Sequence, residues 1–373
     1  MDDTFYTPPK PRLNWMLLAA LAGLMAFGLA FVLSATQMNE LFSELVWYKQ
    51  PFNKMIVFYI IGIGLATVLC FKDYHQLARY AFVGYWSCIV MLVFVLIPGI
   101  GAARYGARRW FDLGIVQFQP SELAKIAFLL AMAQFLSRPR SELNNPGMLL
   151  KAIGLTALPF GLILFEPDLG SSLMLLPPAL VMLYVAGAPA RFLKKLVGGV
   201  ACFIAASLLY VFFVPQAWKP IQLPDYQKRR LMVYFGVDYQ TQYAKPNATP
   251  AELRRVSAMQ RGDSYNVAQA MISVGSGGLS GKGWAQGIQN AHGYLPRGVS
   301  HNDFIFSVIA EESGFVGSAL VVILYTTVFI SGIRVAGQAR DRLGRLLAVG
   351  VVMMLFGQVF VNIGMNIRLV PVT

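Results

Sequence analysis

The sequence predicts an all-α fold, a polytopic bundle of membrane helices, and three observations predict it. Of 373 residues, 56% are hydrophobic and only 13% charged, a balance foreign to soluble globular domains. The apolar residues gather into runs of the length that crosses hydrocarbon. The basic residues collect at alternate ends of those runs, as membrane topology requires.

Taken in order, the runs are 15–35, 55–71, 80–97, 123–136, 152–165, 172–186, 192–214, 315–333 and 346–367, which makes nine spans. The first exceeds the apolar core of a signal peptide, lacks a clear small-residue cleavage site and is followed by further spans, so it reads as retained. Lys10 and Arg12 precede it, Lys72 and Arg79 follow the second run, and Arg138, Arg140 and Lys151 follow the fourth. Arg191, Lys194 and Lys195 follow the sixth, and Arg334, Arg340, Arg342 and Arg345 the eighth. These loops are therefore expected in the cytoplasm, with the N-terminus inside.

The formal charge of +13 is thus spent on topology, and no basic patch supports nucleic-acid binding. Cys70, Cys88 and Cys202 lie in or at the ends of predicted spans, so disulfides are not expected. His75, His292 and His301 are scattered; neither a metal-ligand spacing nor a cofactor signature is present, and the sequence requires no metal.

Between the seventh and eighth runs, residues 215–302 hold most of the external polar sequence. A structureless loop of that length is unusual, so it should be folded and functional. Two helical pieces are expected in it, 250–260 and 264–274. The GSGGLSGKGW that follows fails the phosphate-loop pattern, because Ser276 and Gly283 stand where Gly and Ser or Thr are needed; turn chemistry is the simpler reading.

Ionisable residues recur at the external ends of the spans. GAARYGARRWFDLG places Arg104, Arg108 and Arg109 on that side, suited to phosphate, to anionic lipid head groups or to pairing with Asp112. Glu122 and Lys125 in QPSELAK are three apart and can pair on one helix face. FEPDLGSS adds Glu166 and Asp168, and SHNDFIFSVIAEE adds Asp303, Glu311 and Glu312 at the mouth of the eighth span. From Asp303 to Ile333 a continuous helix would run roughly 45 Å, too long for a bilayer, so part of the segment is expected to lie outside or to break, and Gly314 could supply the joint. On such a helix Asp303 and Glu311 would face one cavity while Glu312 points elsewhere. Acids near hydrocarbon imply a watery cavity and a function, against the plainer readings of ion pairing or helix capping. A carboxylate beside cations suits a lipid-linked pyrophosphate: the acid takes a proton from a sugar hydroxyl, and the cations stabilise the departing pyrophosphate. A lipid flippase or transporter needs buried charge too, but nearer mid-span and with internal repeats; a scaffold for a partner enzyme is the third reading.

The motifs RWFDLGIVQFQPSELAK (109–125), EPDLGSS (166–172), GKGWAQGIQ (281–289), YLP (294–296) and HNDFIFSVIAEESGFVG (301–317) together resemble the SEDS family (shape, elongation, division and sporulation), in family order along almost the whole chain. The resemblance implies ten spans, and a peptidoglycan glycosyltransferase that polymerises lipid II at the outer face of the bacterial inner membrane, releasing undecaprenyl pyrophosphate. It also implies a class B penicillin-binding protein as crosslinking partner and help from a divalent cation, magnesium or manganese. GKGWAQGIQ is more similar to the rod-shape branch than to the division branch. By motif, Asp303 resembles the catalytic aspartate. Arg109, Trp110, Glu122, Lys125, Asp168, Lys282 and Glu311 resemble the substrate-binding residues. Two features depart from the family: RGVSHN before Asp303 is longer than usual and contains Asn302, and the chain stops at RLVPVT, where the family continues into a tenth span. One membrane domain over 1–373, truncated at its C-terminus, is the expected organisation.

Overall fold

The computed structural model describes residues 13–37, 42, 45–99, 101–104, 107–112, 117–143, 145–213, 225–243, 249–295 and 299–371. In chain order come α1 (Trp15–Gln37), α2 (Pro51–Cys70), α3 (Tyr74–Arg79) and α4 (Ala81–Leu96). A small antiparallel sheet follows, β1 (Ala102–Arg104), β2 (Ala107–Asp112) and β3 (Gln117–Phe118), then α5 (Pro120–Leu136), α6 (Arg140–Leu143), α7 (Pro146–Phe165), α8 (Leu169–Leu173), α9 (Leu176–Ala186) and α10 (Ala190–Phe213). The long loop supplies α11 (Asp225–Phe235), α12 (Tyr239–Tyr243), α13 (Pro250–Ser276) and α14 (Ile288–Ala291), and the chain closes with α15 (Ile305–Gln338) and α16 (Arg342–Asn366).

The molecule is a helical membrane bundle. Seven stretches are long and apolar enough to cross a bilayer: α1, α2, α7, α8 running into α9, α10, α15 and α16. α4 is apolar but shorter, and α5 is the most buried, so eight of the nine runs each fall on one helix and the sixth, 172–186, on α8 and α9. α5 owes its place to small residues: Ala124, Ala127, Ala131 and Ala133 are buried beside Phe128, Met132 and Leu136, and small side chains let membrane helices approach closely. This core takes in Leu92 of α4, Ile163 of α7, Met182 of α9 and Leu346 of α16. A second core joins Phe31 and Ala35 of α1 to Ala270 of α13 and to Phe304, Val308 and Val321. Polar bonds reinforce it: Ser34 donates to Glu312 (2.5 Å), Trp284 Nε1 to the Ala30 carbonyl (3.1 Å) and Asn290 Nδ2 to that of Ala35 (3.2 Å).

Prolines and caps start the helices where the sequence placed them. Pro51, Pro120 and Pro146 occupy first turns, where the missing N–H costs nothing. Thr249 and Glu252 form a reciprocal capping box on α13. That helix corrects one expectation. The pieces 250–260 and 264–274 are one continuous helix, because Asp263, at the supposed break, is held by Arg229 Nε (3.2 Å) and Tyr239 Oη (3.0 Å) from α11 and α12.

α15 breaks at Gly314, with φ 63° and ψ −158°, one of the two outcomes the length argument allowed. The break is filled by GSGGLSGKGW. Phe315 N and Val316 N, which would have bonded back within the helix, donate instead to the Gly278 and Leu279 carbonyls (2.8 and 3.1 Å). The carbonyls of Glu311 and Glu312, left without helical donors, accept from Lys282 N and Gly283 N (3.0 and 2.9 Å). Four loop residues, Gly278, Leu279, Lys282 and Gly283, have in effect been spliced into the hydrogen-bond ladder, so these four backbone groups of the broken helix stay paired near the membrane. The glycines are there for proximity: a Cβ on Gly281 would lie 2.1 Å from the Glu312 carbonyl oxygen, and one on Gly314 would lie 2.3 Å from Gly281 N.

Candidate active site

Asp303 lies outside α15, in a turn closed by Asn302 N and Asp303 N on the Val299 carbonyl (both 3.1 Å). Buried Phe304 anchors the turn in the second core and α15 begins only at Ile305. The helix-phase argument for Asp303 and Glu311 therefore does not apply, because the two residues do not share a helix. Nor does Asp303 cap α15, whose N-cap is Phe304. Among the described residues nothing hydrogen-bonds the Asp303 carboxylate. The side chain is accessible at its surface but walled by protein. That desolvation raises its pKa, the charge of Asp168 raises it further, and Arg230 pulls it back. An accessible, unpartnered carboxylate with a raised pKa has the properties of a general base.

Arg230 is a residue that sequence reasoning passed over; its signal was the pair Arg229 and Arg230 in DYQKRRLM. It lines a cavity of about 330 Å³ between α11, α13 and the end of α16, with Arg229, Tyr234, Asp263, Asn266 and Arg368 also on the walls. Arg229 pairs with Asp263, and Arg368 donates to the Val233 carbonyl (2.8 Å). Three guanidinium groups and the Asp263 carboxylate thus line one cavity, a surplus of positive charge suited to anions, and the charge of Arg230 also reaches Asp303.

The remaining expected residues fall into three groups. Arg109, in β2, grips the turn after α7: Nε donates to the Glu166 carbonyl (3.0 Å), Nη2 to that of Pro167, and Nη1 lies 3.7 Å from Asp168 Oδ2. Asp168 caps α8 through Ser171 N (3.0 Å) and accepts from Ser171 Oγ (2.9 Å) and Gln119 Nε2 (3.2 Å). Its neighbour Glu166 is fully buried with neither carboxylate oxygen hydrogen-bonded among the described residues, and burial, then the charge of Asp168, push its pKa up to about 8. Trp110 follows Arg109 in β2, in register with Ala102. Glu122 and Lys125 pair at 2.8 Å in the first turns of α5, the lysine buried and the glutamate exposed.

Lys282 and Glu311 form the third group, at 2.6 Å, inside the splice. Glu311 is completely buried and also accepts from Ser273 Oγ (3.1 Å) and Gln289 N (3.1 Å). Glu312 takes Ser34 Oγ and Ala285 N (3.0 Å). Both acids are thus occupied in fastening the loop to α15 and α1, and Asp303 shares none of these partners. The side chain of Arg104, with Asn302's neighbour loop 296–298, lies outside the described residues. Among the described residues no group of three or more His, Cys, Asp or Glu could hold a metal ion.

The profile described as Cell cycle protein, covering FtsW, RodA and SpoVE, matches residues 14–373. Peptidoglycan glycosyltransferase MrdB of Escherichia coli (strain K12) is 35% identical over 314 residues, 84% of this chain and 75% of that protein. A solved structure described as a peptidoglycan synthase complex that coordinates polymerization and crosslinking superposes with a TM-score of 0.69 at 28% identity, over 96% of this chain and 89% of the other. The rod shape determining protein RodA of Thermus thermophilus gives 0.60 at 26% identity, over 96% and 86%.

Proposed function

Because this chain belongs to the FtsW, RodA and SpoVE family of cell cycle proteins, the SEDS family of its motifs, we propose that it is a peptidoglycan glycosyltransferase that polymerises lipid II for cell elongation. The observation that carries the reading is the Asp303 carboxylate, without a hydrogen-bond partner among the described residues and within reach of the charge of Arg230, which also lines the arginine-walled cavity.

In this reaction the Asp303 carboxylate removes the proton from the 4-hydroxyl of the acceptor sugar. That oxygen bonds to the anomeric carbon of the donor sugar as the bond from that carbon to the pyrophosphate oxygen breaks. Undecaprenyl pyrophosphate leaves with the electron pair, and the proton stays on Asp303. Two features of the site favour each half of the step. The raised pKa makes Asp303 a stronger base than an ordinary carboxylate. Arg229, Arg230 and Arg368 offset the charge that grows on the leaving group, most effectively where water is excluded. Arg109 acts at one remove in this scheme, since its guanidinium holds the turn that carries Asp168 rather than standing open to a phosphate. A divalent cation, implied by the resemblance alone, finds no three-ligand group among the described residues, and no step is assigned to it.

The membrane is the bacterial inner membrane, with the N-terminus in the cytoplasm and Asp303 on the periplasmic side; the alternation of basic loops supports this orientation. A class B penicillin-binding protein is the partner that crosslinks the product, a reading supported by the likeness to the synthase complex. The deciding experiment is polymerisation of lipid II by the purified chain and by Asp303→Ala. Loss of glycan strands with an unchanged unfolding profile supports the base; a variant that still makes strands refutes it. A flippase or a scaffold would make no glycan strands in this assay even as the unmutated chain.

A further inference from the structure

A turn is a soft support for a base that has to meet a hydroxyl within a few tenths of an ångström. One side chain fastens this turn to the bundle. Asn366, the last residue of α16, is completely buried, and its Nδ2 donates to the main-chain carbonyl of Asp303 at 2.9 Å. Its Oδ1 accepts from Ser307 Oγ at 2.5 Å, and Ser307, in the first turn of α15, is completely buried too. The second hydrogen of Nδ2 goes to the Asn362 carbonyl (2.7 Å) within α16. Ser307 is itself tied to α13: its Oγ lies 3.3 Å from the Ala270 carbonyl, and its own carbonyl accepts from Ser273 Oγ at 3.1 Å. A buried amide costs free energy to desolvate, and only well-made bonds offset that cost. Here the amide's bonds cross from one helix to the catalytic turn and to the helix that follows it, so they specify one arrangement of the three.

We propose that Asn366 is a positioning residue for glycosyl transfer, which, with Ser307, fixes the Asp303 turn by gripping its main chain. The inference rests on Asp303 being the base. The charged groups that reach the Asp303 carboxylate in this position are Arg230 of α11 and Asp168, the cap of α8. When the turn is freed, the carboxylate leaves the protein wall that raises its pKa.

The test is steady-state lipid II polymerisation by the full chain across pH, for wild type, Asn366→Ala, Ser307→Ala and Asp303→Asn. Misplacement of a catalytic group by about 1 Å costs on the order of a hundredfold. Asn366→Ala should therefore lower kcat about ten- to a hundredfold while KM for lipid II stays within about twofold. The acid limb of its kcat profile should move down toward the ordinary carboxylate range, and Ser307→Ala should shift both quantities the same way by less. A merely structural role would reduce the folded fraction equally at every pH and leave the limb in place. That result, or an Asn366→Ala enzyme with wild-type kcat, overturns the proposal. If Asn366→Ala does not fold, Ser307→Ala decides, and an unchanged kcat and limb there are equally fatal. Asp303→Asn separates the two levels. A strand-making Asp303→Asn removes the base assignment and this inference with it, whereas a dead Asp303→Asn beside a normal Asn366→Ala removes this inference alone.

Discussion

Replacing Gly281 by alanine should open the splice between GSGGLSGKGW and the break in α15. Gly281 has φ +79°, and the added Cβ would stand 2.1 Å from the Glu312 carbonyl oxygen and 2.6 Å from Ser313 Cα. Both neighbours are backbone, so no side-chain rotation relieves the overlap. The left-handed conformation costs a non-glycine residue roughly 1–2 kcal/mol. Separating the strands sacrifices the bonds from Lys282 N to the Glu311 carbonyl and from Gly283 N to the Glu312 carbonyl, at about 1 kcal/mol each. The expected loss is therefore roughly 3–4 kcal/mol. Gly154, on an exposed face of α7 with nothing within 4 Å of its would-be Cβ, is the control; alanine there should be neutral or stabilising by up to about 1 kcal/mol. The assay is thermal unfolding of the two variants beside wild type in one detergent. Equal midpoints for Gly281→Ala and wild type would refute the reasoning, since backbone-to-backbone proximity would then not be what the glycine provides.

Three further outcomes follow from the site. Removing Arg230, whose charge lowers the Asp303 pKa, should move the acid limb of kcat upward in Arg230→Ala; a downward or absent shift in a pH-rate profile contradicts the electrostatic contact. Glu166, at about 8 against 4.5, holds a proton in the folded state that the unfolded chain has released, so stability should fall as pH rises across that window. Glu166→Gln should then melt with wild type near pH 4 and above it at pH about 9, a comparison that thermal unfolding makes directly. Lys282→Met strips the completely buried Glu311 of its cation, which should cost about 3 kcal/mol, more than Glu311→Gln; the reverse order in an unfolding series would show that the pair is not what secures the loop.

The spans were legible because hydrocarbon thickness imposes a minimum length on every crossing element, and the nine runs are helical but for the turn that parts α8 from α9. The break at Gly314 was partly legible for the same reason, since length demanded either a break or an overhang and the glycine marked the joint. What composition hides is contact at a distance. GSGGLSGKGW reads as turn chemistry, because nothing local says that its glycines press against residues some thirty positions later. The hairpin of β1 and β2 lies in a stretch read only for its arginines, and its pairing is antiparallel with a register shift at Ala102. In the site, the DFIF motif brought Asp303 forward, but assigning Glu311 to the same cavity assumed that the helix extends back to residue 303. Arg230 was one of two adjacent arginines in a polar loop, and only the placement of α11 brings its charge to Asp303. Asn366 was read as part of a span, where a lone amide attracts little notice.

The bonds that α1 makes to Glu312, Trp284 and Asn290 span sequence separations of 278, 254 and 255 residues. A ribosome adding about 5–20 residues per second takes some tens of seconds to bridge such a gap. α1 therefore waits in the bilayer without these later partners while the residues between are still being made. During biogenesis the Ser34 hydroxyl and the carbonyl of Ala35, in the last turn of α1, need a provisional escort, water at the interface or the insertion machinery, until the eighth span arrives to relieve it.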